Sequence, residues 1–259
     1  MLRAKGRNNL FCRRGVVALS VHLTMAAFSA TFLSSEAFGQ EKSVNASSRT
    51  PAGTPHGTAR LPKRLAADFH AHIQTRLPHL RPAFEAAALE TGIDWRVLAA
   101  LGYQESRWRP AAVSPMGAQG VMMLMPVTAT KMGVQNVFSP DENIMGGARY
   151  LAYLRGRIPA RILDPDRTWL AMAAYNIGIG HLEDARIITQ MRKKNPDRWA
   201  DVRANLPRLS DPHWYSRVKR GYARGEETAQ FVERVSQFAA LLTVAIPVNT
   251  VVDASPKPR

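Results

Sequence analysis

Val97 to Glu105 reads VLAALGYQE, an apolar stretch that ends in a carboxylate. Leu98, Leu101 and Glu105 follow at the i, i+3 and i+7 spacing, which places them on one face of an α-helix. Asp94 precedes the stretch and is suited to cap the helix. The sequence therefore predicts a helix whose buried face ends in Glu105.

A carboxyl group on a buried helix face is costly when it is ionised. Burial favours the protonated form, and the negative end of the helix dipole acts in the same direction. A carboxylic acid that stays neutral near pH 7 is what a general acid for glycoside cleavage requires. The alternative is a Glu105 that swings out into water at the helix end, because a perturbed carboxylate alone only points to a functional site.

The first 39 residues have the order of a secretory signal peptide. A basic start is followed by a largely apolar stretch at 16–33 and by AFG at 37–39, which resembles a small-x-small cleavage site. An uncleaved membrane anchor is the alternative, although His22 and several hydroxyl side chains interrupt the apolar stretch. The only cysteine, Cys12, precedes this stretch, whereas a lipobox cysteine would follow it. We therefore expect export to the periplasm or cell envelope, with membrane association left open.

The chain is strongly basic, with a formal net charge of +15 over 259 residues. Residues 1–39 carry five basic and one acidic side chain, so about +11 remains after their removal. This charge fits an anionic polymer such as nucleic acid, a membrane surface or a cell-wall glycan. Export argues against nucleic acid, and neither zinc-finger spacing nor a basic-aromatic RNA motif is present. Charge thus gives a class of partner without identifying it.

Helical patterns dominate residues 61–247, and no alternation long enough for a sizeable sheet occurs. We expect a flexible linker at 40–60, an N-terminal helical extension at 61–79, the main domain at 80–247 and a loose tail at 248–259. Prolines and glycines between Trp108 and Pro126 predict a loop with room for a short hairpin at most. Other helices are predicted over Ala83–Thr91, Asn143–Arg157, Thr168–Asn176, Leu182–Met191 and Glu226–Ile246.

Two further segments accompany the Glu105 helix. Ser114 to Pro126 reads SPMGAQGVMMLMP, and Ala173 to Gly180 reads AAYNIGIG. Taken singly, each has an ordinary explanation: glycines of a turn, methionines that fill a core, or a helix that stops at a glycine. Their joint occurrence in this order favours one common site.

With Glu105-Ser106, these segments resemble the lytic transglycosylase domain family, which has a goose-type lysozyme-like fold. The resemblance covers roughly residues 80–245 and implies a mainly α domain with at most a short β-hairpin near the cleft. In the family a Glu-Ser pair ends a helix, and its Glu, matched by Glu105, is the sole catalytic acid. The family's sugar-lining loop is matched by Ser114, Gly117, Ala118, Gly120, Met122, Met125 and Pro126, and its Ala-Tyr-Asn-x-Gly stretch by Ala174, Tyr175, Asn176 and Gly178.

The resemblance implies a role for several of these side chains. Tyr175 is expected to hydrogen-bond near Glu105 or the reacting sugar, and Ser114 and Asn176 to contact the N-acetyl or peptide-bearing groups. Met125 is expected to form an apolar wall that restricts water. The full set implied for substrate binding is Ser114, Gly117, Met122, Met125, Tyr175, Asn176 and Tyr222, with packing as the alternative for Tyr222.

Two residues depart from the family pattern. Met123 stands where the family usually has Gln, and Phe231 replaces a Tyr in a Glu-Thr-x-x-Tyr-Val pattern that begins at Glu227. The first departure, together with Gly-Tyr-Ala-Arg-Gly at 221–225, is similar to the membrane-bound lytic transglycosylase F branch. Members of that branch often carry a solute-binding-like domain ahead of the catalytic one. This chain is too short to hold it, so the resemblance is to the catalytic half.

A second carboxylate, which hydrolytic glycosidases commonly use, is not evident in the glycine-methionine loop. Glu105 is therefore expected to protonate the glycosidic oxygen between N-acetylmuramic acid and N-acetylglucosamine. It would then accept a proton from the muramic 6-hydroxyl, which yields a 1,6-anhydro sugar. The acidic residues considered and set aside, as lying in polar helix starts or exposed-looking runs, are Asp141, Glu142, Asp164, Asp166, Glu183 and Asp184.

Two other functions stay open: a hydrolytic muramidase on the same fold, and a non-catalytic murein-binding module that tethers a secretion machine. We expect no metal, because His70, His72 and His79 lack paired carboxylates at ligand spacing, and no cofactor. The expected partner is the peptidoglycan glycan strand and not nucleic acid. We expect a monomer, with peripheral contact to the membrane or to secretion or division machinery left open.

Overall fold

The computed structural model describes residues 61–246, and in this range the chain is helical. Strands are absent from these residues apart from isolated antiparallel bridges that join Val113 to Gln119 and Gln119 to Leu124. The mainly α fold class is confirmed, and the expected hairpin is reduced to these bridges. The helices are α1 Lys63–Thr75, α2 Leu77–Thr91, α3 Trp95–Ser106, α4 Pro126–Lys131, α5 Pro140–Arg157, α6 Asp166–Ile177, α7 Ile179–Met191, α8 Trp199–Asn205, the 3₁₀ helix Leu206–Ser210, α9 Pro212–Tyr215 and α10 Gly225–Ala245.

The predicted signal peptide (1–39), linker (40–60) and tail (248–259) lie outside the described residues. The predicted extension at 61–79 contains α1 and the first residues of α2. Within 61–246, no helix combines the length and the apolar character needed to cross a membrane.

The central helix is α3, which carries Glu105 near its end. It packs between α2 and α10, and every residue from Arg96 to Tyr103 is buried. A helix that is buried around its whole circumference belongs in the middle of a core. The carboxylate of Asp94 accepts a hydrogen bond of 2.8 Å from the Arg96 N–H, which confirms the predicted cap.

A cluster of four aromatic rings fixes α3 to the first and last described helices. Phe69 of α1 lies 4.5 Å from the ring of Tyr103 and 4.6 Å from that of Phe238 in α10. Trp108 lies 4.7 Å from Tyr103, and its indole N–H donates to the carbonyl of Ala99 at 2.8 Å. Such ring pairs contribute roughly 0.5–1.5 kcal/mol each beyond the area they bury. The residues on both sides of Glu105 are therefore anchored in the core.

Several helix bounds differ from those predicted. α5 begins at Pro140, earlier than the predicted Asn143, because Ser139 caps it and two acidic residues occupy its first turn. The helices α4, α8 and α9 were not predicted, since none exceeds seven residues and so short a segment shows no helical period.

Candidate active site

Glu105 lies one residue before the end of α3. Arg107 and Trp108 then adopt left-handed conformations with φ of 57° and 56°, so the chain turns sharply after the carboxyl group. Protein surrounds the Glu105 side chain, which nevertheless keeps some exposed surface, as expected of a group on the floor of a cleft. Among residues 61–246 it has no cation or hydrogen-bond donor as a partner. Burial raises the pKa of Glu105 from 4.5 to about 8, which supports the neutral carboxylic acid and argues against a solvated one.

The first half of the glycine-methionine loop is a tight turn closed by Ser114. The Ser114 N–H donates to the Ala118 carbonyl at 2.9 Å, and the Ala118 N–H donates to the Ser114 hydroxyl at 2.9 Å. Gly117 lies between them with φ of 85°, a conformation that favours glycine. Ser114 thus holds the turn in shape, while its hydroxyl proton stays available to a ligand.

The second half of the loop approaches α5 so closely that only glycine fits. Gln119 and Leu124 exchange two backbone hydrogen bonds of 2.9 Å, and Gly120 between them has φ of 80°. A Cβ atom on Gly120 would overlap the side-chain amide of Asn143 and the carbonyl of Val137. The Gly120 backbone conformation therefore sets the path of the loop past the active site.

Side chains from three different helices hold the peptide groups of residues 121 and 122. The Ser106 hydroxyl donates to the Val121 carbonyl at 2.8 Å. The Met122 N–H donates to the Asn143 side-chain oxygen at 2.7 Å, and the Tyr175 hydroxyl donates to the Met122 carbonyl at 2.8 Å. Because α3, α5 and α6 each contribute one bond, the loop has a fixed position relative to Glu105.

Asn143 is the main positioning residue that the sequence analysis missed. Its side chain is fully buried, and its amide nitrogen also donates to the carbonyls of Gln119 (3.1 Å) and Val137 (2.9 Å). A signal existed, since a side-chain amide in a buried helix is costly unless it is hydrogen-bonded. The sequence showed the amide but not its partners.

Tyr175 lies close enough to Glu105 for that carboxyl to affect its pKa, which fits the position that the resemblance implied. Its ring is half-buried and tilted against that of Tyr150 at 5.2 Å. Burial raises the pKa of Tyr175 well above its ordinary range, and the nearby Glu105 raises it further. The phenol stays protonated and acts as a donor, and its hydrogen bond goes to the Met122 carbonyl and not to Glu105.

The two predicted methionines occupy different environments. Met122 is fully buried and packs against Gly102 and Gly147, where an added Cβ would meet its side chain. Its side chain therefore has no surface for a ligand and serves packing. Met125 is 45% exposed and remains available as an apolar wall.

The remaining predicted residues lie near the start of α10. Asn176 is exposed, and its side-chain oxygen accepts a hydrogen bond of 2.8 Å from Thr228 of α10. Tyr222 is 58% exposed, with its ring edge-on to Tyr215 at 6.0 Å. Phe231, one of the departures from the family pattern, is buried in α10, where a hydroxyl would need its own partner.

The prediction that Asp184 lies in an exposed run is wrong. Asp184 is 2% exposed, because the loop at 216–224 folds over α7 and donates the N–H groups of Lys219 and Arg220 to its carboxylate. Most other acids considered as a second carboxylate also have structural partners: Glu142 with the N–H groups of Gln135 and Asn136, Asp164 with Arg155, Asp166 with the N–H of Trp199, and Glu183 with Arg186. Within 61–246, no three His, Cys, Asp or Glu side chains are grouped to hold a metal ion.

Comparison with known proteins matches residues 82–197 to the family model described as Transglycosylase SLT domain. Membrane-bound lytic murein transglycosylase F of Marinobacter nauticus is 49% identical over 177 residues, which are 68% of this chain and 35% of that protein. The protein of the same name from Pseudomonas fluorescens is 49% identical over 178 residues, or 69% of this chain and 37% of that protein. The chain thus spans about a third of the length of these curated relatives.

Among solved structures, the X-ray structure of an inactive mutant of lytic transglycosylase Slt from Pseudomonas aeruginosa is similar, with a TM-score of 0.50. The similarity covers 70% of this chain and 29% of that chain at 22% sequence identity, and it concerns the fold. The lysozyme-like helical architecture expected from the sequence is confirmed.

Proposed function

Because residues 82–197 belong to the transglycosylase SLT domain family, we propose that this protein is a peptidoglycan lytic transglycosylase. Its substrate is the β-1,4 bond between N-acetylmuramic acid and N-acetylglucosamine. The observation that carries the proposal is Glu105, a half-buried carboxyl whose pKa of about 8 keeps it protonated at neutral pH. The names of the curated relatives support the same class.

Glu105 acts first as an acid and then as a base. It donates its proton to the glycosidic oxygen, the bond from that oxygen to muramic C1 breaks, and N-acetylglucosamine leaves with a new hydroxyl. The substrate's N-acetyl group stabilises the positive charge at C1. The ionised Glu105 then takes the proton of the muramic 6-hydroxyl as that oxygen bonds to C1. The acid is regenerated, the product carries a 1,6-anhydro ring, and no water is consumed.

A pKa near the working pH suits both steps, because the same group must give up and regain a proton in one turnover. Among the described residues no cation lies beside Glu105. Its pKa therefore stays high, because a neighbouring positive charge would lower it. Tyr175 supports the site by fixing the loop and by presenting a donor-type phenol close to the carboxyl. Met125 limits access of water, and Ser114, Asn176 and Tyr222 line the approach to the site.

Product analysis tests the proposed function. Purified sacculi are incubated with the protein, and the soluble fragments are analysed by mass spectrometry. A lytic transglycosylase gives 1,6-anhydromuramic ends. Reducing muramic ends would instead identify a hydrolytic muramidase, and binding to murein gels without clearing would identify a non-catalytic module.

The pH dependence of activity should report the raised pKa of Glu105. In the free enzyme only the protonated carboxyl can act as the acid, so kcat/KM should be lost as pH rises through about 8. The decline should approach tenfold per pH unit above that point. Initial rates of fragment release at constant ionic strength give this profile, and a decline centred near pH 4.5 would contradict the buried acid.

Replacing Tyr175 by Phe should lower kcat about tenfold and leave KM nearly unchanged, because the loop beside Glu105 loses one of the three side-chain bonds that hold residues 121 and 122. The Met122 carbonyl would lose a buried donor, so the free energy of unfolding should fall by about 1 kcal/mol. Steady-state kinetics and urea denaturation measure both effects. Tyr153→Phe is the matched control, since this tyrosine is 40% exposed, and equal kinetics for the two variants would refute the role of Tyr175.

The cell envelope is the place of action that fits a murein substrate. We infer finer points from the sequence: a signal peptide at 1–39 that is removed, a periplasmic location, and a monomer attracted to anionic murein by its basic surface. Edman sequencing of the protein isolated from the envelope fraction tests the cleavage site, and an intact Met1 start would argue for an anchor.

A further inference from the structure

The loop between α9 and α10, residues 216–224, carries a cation that the proposed reaction does not use. Arg220 is exposed, and no carboxylate among residues 61–246 pairs with its guanidinium group. Surface arginines of this protein often have such partners, as Arg81 has Glu85. The guanidinium of Arg220 is thus free to bind an anion.

The backbone of Arg220 is held in place by the buried carboxylate of Asp184. The Arg220 N–H donates to Asp184 at 2.7 Å, the Lys219 N–H donates to it at 3.3 Å, and Asp184 is 2% exposed. The Arg220 side chain also lies close over Gly180, where an added Cβ would come within 2.8 Å of its Nε. A cation held in this way loses less conformational freedom on binding than a solvated one.

Arg220 is held against the junction between α6, which carries Tyr175, and α7. Gly180 is in the first turn of α7, a few residues after Tyr175, whose phenol lies beside Glu105. The first turn of α10, which follows the loop, is tied to the end of α6, because Thr228 donates to Asn176 at 2.8 Å. α7 also begins with neither a side-chain cap nor an acidic residue in its first turn, so the positive end of its dipole adds to the charge of Arg220.

We propose that Arg220 binds a carboxylate of the peptide stem of murein, so that the enzyme prefers strands that carry peptides over bare glycan. The inference rests on the proposed function and adds a specificity-determining residue to the same cleft. A guanidinium group suits this ligand because its planar N–H pairs match a carboxylate in two parallel hydrogen bonds. In intact murein the lactyl group of muramic acid is consumed in the bond to the peptide, so the free carboxylates belong to the stem.

Sedimentation with sacculi tests the proposal without depending on turnover. All proteins carry Glu105→Gln, and binding is measured to peptide-bearing sacculi and to strands stripped of peptide by an amidase. Arg220→Gln should weaken binding to peptide-bearing sacculi about tenfold and leave binding to stripped strands unchanged. Lys219→Gln, which removes a neighbouring charge from the same loop, should change neither.

Four outcomes would overturn the proposal. Equal weakening on both substrates would mean that Arg220 supports glycan binding in general, and a larger loss on stripped strands would point to the lactyl carboxylate exposed there. No loss would mean that Arg220 does not contact the substrate, and the same loss for Lys219→Gln would mean that only bulk charge matters. Failure of the proposed function would appear separately, as sacculi left uncleaved by the unmodified protein in the product analysis.

Discussion

Replacing Glu105 by Gln is expected to reduce the release of anhydro-muropeptides from sacculi by roughly a hundred- to ten-thousandfold. The amide keeps the size of the side chain but can neither donate the acidic proton nor take it back. Among the described residues no other carboxylate contributes to the raised pKa of Glu105, and most of the acids considered have structural partners elsewhere. Fragment release followed by mass spectrometry measures the effect.

The matched control is Glu85→Gln, which removes a half-exposed carboxylate on α2 and should retain full activity. If Glu105→Gln were as active as this control, the assignment of the acid would be wrong.

The stability of the Glu105→Gln variant separates a chemical defect from a folding defect. Glu105 ionises near 4.5 when unfolded and near 8 when folded. Its stabilising contribution is therefore complete below pH 4.5 and is lost as pH rises to 8, by at most about 1.4 kcal/mol per pH unit. The variant lacks this titration. Its free energy of unfolding, relative to that of the unmodified protein, should therefore increase as the pH rises from 5 to 8.

Replacing Asn143 by Ala is expected to lower the free energy of unfolding by about 3 kcal/mol. The change leaves one buried N–H, that of Met122, and two carbonyls, those of Gln119 and Val137, without their partner. The loop would lose both of its hydrogen bonds to the Asn143 side chain of α5, and activity should fall even where the variant is fully folded. Urea denaturation gives the stability, and kcat below the unfolding range gives the effect on the site.

Asn136→Ala is the matched control for Asn143. Asn136 is exposed and accepts a single hydrogen bond, from the Phe138 N–H at 3.0 Å, so its loss should cost well under half as much. A similar cost for the two variants would show that the buried hydrogen bonds of Asn143 do not hold the loop.

Sequence patterns predicted those parts of the fold that depend on local spacing. The apolar run before Glu105, the cap at Asp94 and the long helices α5, α6, α7 and α10 each have a signal within one segment. Segments without a repeated period, such as α4 and α8, had none. The burial of Asp184 also had no local signal, since the loop that covers it lies more than thirty residues further along the chain.

The candidate site divides in the same way. Glu105 and Tyr175 were identified from motifs, and the structure brings them together. The motif placed Met122 among the substrate-binding residues, but its side chain is buried. A motif does not show which of several methionines faces the core. Asn143 was missed, since its importance comes from three backbone partners, and two of them lie in the glycine-methionine loop more than twenty residues earlier in the chain.

The sequence alone determined that a helix would end in a carboxylate and that the protein would be built from helices. Both follow from the spacing of apolar and polar residues along one segment. That this carboxyl group is a neutral acid depends on the tertiary structure. Its pKa of about 8 is produced by burial, and burial requires α6 to pack against α3 and the glycine-methionine loop although Tyr175 lies more than fifty residues beyond Met122.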